Sequence, residues 1–165
     1  MPGPIAHLLW GYVVSRAVTK RKDLILIGMA ASVVMDVPFL FDLQDFHRTS
    51  THYLAFPIFL SLLMLIFFRE LKVFYVTFSN MLVHLILDTV ATRGPVKWLY
   101  PLSDIGIGYS GPSFYPAFLV LRLFLILIPA FAILYLYIRK KEDPFSLLIY
   151  LVDRYIRKRS VNPIL

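Results

Sequence analysis

The chain has 165 residues, 59% of them apolar and only 16% charged, with 17 Lys and Arg against 10 Asp and Glu for a formal net charge of +7. So apolar a composition excludes an ordinary water-soluble domain and a disordered chain, and the absence of cysteine excludes disulfides and thiolate metal sites. The basic excess reads as membrane topology and attraction to anionic lipid, with no nucleic-acid partner expected.

Five segments are predicted to cross a bilayer, residues 4–19, 24–41, 53–68, 73–91 and 115–138, against a requirement of ~20 residues for ~30 Å of hydrocarbon. The first is short and interrupted. None shows the two-residue alternation of barrel strands, which predicts an all-α polytopic helical bundle in one domain, residues 1–142. Met1-Pro2-Gly3-Pro4 lacks the basic start of a cleavable signal, so the first segment is expected to stay.

Orientation follows from the basic residues. Lys20, Arg21 and Lys22 follow the first segment, Arg69 and Lys72 the third, and Arg139, Lys140, Lys141, Arg154, Arg157, Lys158 and Arg159 the fifth. The other side holds only Arg48, Arg93 and Lys97. Positive residues stay cytoplasmic, which predicts a cell-membrane protein with an outside N-terminus and a cytoplasmic C-terminus. The cytoplasmic turns, residues 20–23 and 69–72, are short enough to make antiparallel helical hairpins.

The outer connections are richer. Residues 92–114 form a long loop of the kind that walls a site, although its Gly106–Gly111 glycines lack the Gly-Lys-Ser/Thr of a phosphate loop. Trp98, Tyr100, Tyr109 and Tyr115 read as interfacial aromatics. After Asp143-Pro144, a cap followed by proline, Phe145, Leu148, Ile149, Val152 and Ile156 keep helical spacing with basic residues beyond. Residues 143–165 are therefore expected to be an amphipathic helix on the inner membrane surface.

All four histidines, His7, His47, His52 and His84, fall toward the outer face, beside Asp36, Asp42 and Asp88. His84-Leu-Ile-Leu-Asp88 puts two side chains on one helical face, a geometry in which two metal ligands converge. Counting about 1.5 Å per residue sets Asp88 ~7 Å and His84 ~13 Å below the outer hydrocarbon boundary, and Asp36 ~12 Å below it, level with His84. Each polar residue alone reads as a satisfied interhelical contact; together, at matching height, they read as a metal site. In His47-Arg48-Thr49-Ser50-Thr51-His52 an arginine stands between two candidate ligands, where its planar guanidinium suits a phosphate.

These elements resemble the LexA-regulated, membrane-bound, predicted metal-dependent hydrolases. The likeness covers roughly the first hundred residues: His7 with Gly11, Ser32 to Asp36, His47-Arg48-Thr49-Ser50-Thr51-His52, His84 to Asp88, and Gly94 with Pro101-Leu-Ser103. The family is similar, more distantly, to zinc-dependent phospholipases C, which implies phosphoester hydrolysis. Met35-Asp36-Val37-Pro38 departs from the family's Pro-Asp-x-Asp, the next acid being Asp42, and Tyr53 stands where serine is usual.

The expectation is an outward-facing, metal-dependent phosphoesterase. His7, Asp36, His47, His52, His84 and Asp88 are the candidate ligands, Asp36 or Asp42 the candidate base, and Arg48 the anion-holding residue. The metal is a divalent ion, zinc by default for nitrogen and oxygen donors, and the substrate a phosphate-containing membrane lipid or lipid-linked phosphate. The competing classes are a proton or metal-ion relay through His7, Asp36, His84 and Asp88, and a non-catalytic membrane scaffold. The relay ranks second because Ser61 and Thr77 are the main polar residues of the inner halves of the third and fourth segments.

Overall fold

The computed structural model describes residues 3–40, 51–91, 94–108 and 116–161. Every regular element among them is helical: α1 (Pro4–Val18), α2 (Lys22–Val34), the single turn α3 (Val37–Leu40), α4 (Ala55–Phe68), α5 (Leu71–Ala91), α6 (Pro116–Lys140) and α7 (Ser146–Val161). Extended pairing among the described residues is limited to an isolated antiparallel bridge, Val96 with Ile107. The chain forms two compact units, Met1–Ala130 and Phe131–Leu165.

Both short basic turns are where the sequence puts them. At the first, Thr19 leaves the helix in an extended conformation and its N–H still reaches Ser15 O at 2.8 Å. At the second, Arg69 closes α4 in the left-handed region (φ 52°). Arg21 ties the two turns together, its guanidinium 2.7 Å from Asp23 and 2.6 Å from Glu70. The arginine beside it holds the Asp23 carboxyl below its ordinary value. Exposed pairs of this kind contribute little stability, so the tie marks both turns as lying at one end of the bundle.

α5 is the centre of the first unit, packing against α1, α2 and α4. Two glycines allow the close approach. A Cβ on Gly11 would lie 3.1 Å from Met29 Cα and collide with Ser32, and one on Gly28 would lie 2.6 Å from both Asn80 Nδ2 and Val76 Cγ1. Small residues at such crossings let helix backbones meet where lipid offers no hydrophobic drive for association. Leu24, Val73 and Val76 fill the core toward the turns, and Ala31, Met35, Met81, Leu85 and Val96 fill it toward the other end.

The five expected crossings are not matched by five long helices. Among the described residues, α5 and residues 119–140 of α6 are long and apolar enough to span a membrane, and α4 is a shorter apolar helix. The expected helix over residues 24–41 ends at Val34, turns through Met35 and Asp36, and restarts as α3. Pro38 supplies the reason: it has no N–H to donate to Val34 O, and in a continuous helix its ring would clash with that carbonyl. α6 is apolar on all sides with only 6% of its span buried, a surface suited to lipid and not to water.

The loop over residues 94–108 folds back on the bundle. Val96 and Ile107 exchange two backbone hydrogen bonds of 2.9 Å, and Trp98 O accepts from Leu54 N at 2.9 Å. Trp98, expected as an interfacial aromatic, packs on the core and donates its indole N–H to Thr89 Oγ1 at 2.8 Å. Arg122 of α6 donates to Ala91 O at the end of α5 (3.2 Å). In the second unit, Asp143 caps the start of α7 through Phe145 N (2.9 Å), and Phe145, Leu148, Ile149 and Val152 are exposed.

Candidate metal centre

His84 and Asp88 lie one turn apart on the inner face of α5. Asp36 arrives from the break after α2, His52 from the segment just before α4, and His7 from the start of α1. All five are buried, with His7, His84 and Asp88 at 1% exposure. The break in the second helix is where Asp36 joins this group, its N–H bonded to Val33 O at 3.0 Å.

The two histidine rings are fixed from behind. His84 Nδ1 lies 2.7 Å from the Ser32 carbonyl, which can only accept, so this nitrogen carries the proton. Thr51 donates its single hydroxyl proton to Met35 O (3.0 Å) and therefore accepts from His52 Nδ1 at 3.0 Å. With both rings neutral, both Nε2 lone pairs face one space, 3.1 Å apart. An outer hydrogen bond that sets tautomer and ring angle is the arrangement found behind metal-binding histidines.

Two carboxylates close the same space. Asp88 Oδ2 is 3.0 Å from His52 Nε2 and 3.6 Å from His84 Nε2, and Asp36 Oδ1 is 3.8 and 3.6 Å from them. One donor atom from each of Asp36, His52, His84 and Asp88 lies within 4.8 Å of the other three. Donors bound at ~2.0–2.1 Å around a tetrahedral ion stand about 3.3 Å apart, so a cation fits these spacings. Two buried carboxylates facing two imidazole nitrogens call for positive charge between them, which a bound cation or a proton on an imidazole supplies.

His7 stands beside this group of four. Its ring stacks on His84 with centroids 3.8 Å apart, and its Nε2 faces the second oxygen of each carboxylate, 3.4 Å from Asp88 Oδ1 and 3.8 Å from Asp36 Oδ2. Asp42, His47 and Arg48 lie outside the described residues. The site also uses groups that sequence reasoning missed: the Ser32 carbonyl, the Thr51 hydroxyl and, one turn before His84, Asn80. Asn80 Nδ2 bonds Ser15 Oγ at 2.9 Å and Val76 O at 2.8 Å, linking α5 to α1 below the centre. Its i, i+4 spacing to His84 was the available signal.

Fold and site together define a helical membrane protein with a buried histidine and carboxylate cluster able to hold a metal ion. The chain belongs to the YdjM inner membrane protein family, whose family model matches residues 1–158. No curated protein and no solved structure matches it.

Proposed function

We propose that this is a membrane-bound, metal-dependent hydrolase acting on a phosphoester of a lipid or lipid-linked substrate at the outer membrane face. The observation that carries the reading is the pair of histidines whose Nδ1 protons are committed to Ser32 O and Thr51 Oγ1 while both Nε2 atoms face Asp36 and Asp88. Bound there, a divalent ion, zinc by default, supplies Lewis acidity and a water acidified toward neutral pH. Asp36, His52, His84 and Asp88 would hold the ion with His7 beside them as a further ligand, Asp36 or Asp42 serving as base. His47 adds a ligand and Arg48 a cation for the substrate phosphate, as the hydrolase resemblance implies. Metal analysis of the purified protein, with turnover of a lipid phosphoester before and after chelation, tests the reading. Stoichiometric metal and chelator-sensitive hydrolysis are expected; a metal-free protein with no turnover sinks it.

The proposed topology has five crossings, an external N-terminus, and α7 lying on the cytoplasmic surface with the exposed Phe145 just before it and its own Leu148, Ile149 and Val152 in the lipid interface. The lack of cysteine allows a direct test with single cysteines at Thr49 and Ser160. In intact cells an impermeant thiol reagent is expected to label Thr49→Cys, and to reach Ser160→Cys only after permeabilisation. The reverse pattern overturns the orientation.

A second reading, ion or proton passage, has one observation in its favour. Polar side chains continue below the centre, with Ser15, Ser61, Thr77 and Asn80 all buried. Metal uptake by sealed vesicles in the absence of any hydrolysis would favour this reading over the first.

A further inference from the structure

At the end of the bundle remote from the metal centre, where the two basic turns meet, the surface folds into a cavity of about 480 Å³. Arg16, Lys20 and Arg21 line it from the first turn and Lys72 from the start of α5, and among the described residues no acidic side chain does. Lys20 and Lys72 stand 52 positions apart in the chain, so the fold and not local sequence brings them to one concavity. Lys72 precedes His84 by 12 positions on α5, about 18 Å along the helix, which separates this cavity from the metal centre.

The four cations are not equivalent. Arg21 is already gripped by Asp23 and Glu70, so its charge is largely answered. Arg16 is engaged with Thr19 O at 3.3 Å, so the remaining attraction for an anion comes from Lys20 and Lys72. Ala17 and Val18 add an exposed apolar wall to the same cavity, Val18 being 39% exposed. A charge serving only as a topology signal needs neither concavity nor an apolar lip. A free phosphate would use the cations and leave the lip bare.

We infer that this cavity binds the phosphate-bearing headgroup of an anionic membrane lipid, with the lysines on the phosphate and Ala17 and Val18 against the start of the acyl chains. Basic pockets between membrane helices hold acidic headgroups by this chemistry. The occupant is separate from any substrate at the metal centre, and the site is a place of attachment rather than of reaction.

The full chain, purified in detergent, is offered phosphatidylglycerol, phosphatidylcholine or inorganic phosphate, and retained ligand is counted by native mass spectrometry. One phosphatidylglycerol per chain is expected, with phosphatidylcholine held roughly tenfold less or weaker. Two variants separate a cavity from diffuse charge. Lys20→Gln with Lys72→Gln removes the charge, and Ala17→Trp fills the space while keeping every charge; both are expected to lose the lipid, and Lys72→Arg to keep it. Loss in the charge variant alone, or in neither, overturns the inference. So does displacement of the lipid by millimolar phosphate, which would make this a free-anion site.

Discussion

Replacing either His84 or Asp88 by alanine is expected to empty the metal centre and lower phosphoester turnover at least about 100-fold, because changing even the outer partners of a metal ligand costs 10–100-fold. Each residue contributes to the same four-donor group, so the double variant should be little worse than either single one. Residues acting as a unit are non-additive in this way. A pair serving only as interhelical glue predicts another pattern, a stability loss of about 1 kcal/mol with metal content unchanged. His7→Ala is the graded control: His7 stacks on His84 outside the group of four, so it should lower occupancy less than Asp88→Ala. Arg48→Ala should weaken turnover of an anionic substrate and leave the metal in place, since a protonated guanidinium has no lone pair to offer. Full metal occupancy in both His84→Ala and Asp88→Ala would refute the proposed centre.

The part of the site legible in the sequence is the part set by periodicity. Four-residue spacing puts His84 and Asp88 on one face whatever surrounds them, and a count of helical rise sets Asp36 at the height of His84. The structure brings these three together with His52 and His7. What could not be read is what holds them. The protons on His84 and His52 are placed by a backbone carbonyl and by a hydroxyl shared with Met35 O; Ser32 and Thr51 stand in the elements that carry the resemblance, but spacing alone does not show that they hold a ring. The break after Val34 hides for a related reason: residues 24–41 are apolar enough to read as one span, and the effect of Pro38 is local backbone sterics. What Trp98 packs against was equally hidden, because its contact with the core and the N–H that Thr89 accepts are both tertiary.

The close packing that underlies the site gives the second large effect. Gly28 lies where α1, α2 and α5 meet, and a Cβ there would press on Ser15, Asn80 and Val76. Asn80 cannot easily withdraw, being held to Ser15 Oγ and Val76 O. Gly28→Leu should therefore force the helices apart, costing about 3 kcal/mol by overpacking, well beyond the ~1 kcal/mol gained by replacing a helical glycine. Ala30→Leu adds a comparable volume two positions on, at an exposed site of the same helix, and should leave the thermal midpoint nearly unchanged. The separation should reach the metal as well, because α2 carries the Ser32 carbonyl that orients His84 and leads directly into Asp36, while α5 carries His84 and Asp88. Thermal unfolding and metal content measured on the same purified samples should fall together in Gly28→Leu and in neither respect in Ala30→Leu. A Gly28→Leu protein that melts like the parent and keeps its metal would show that α1, α2 and α5 do not need to meet this closely.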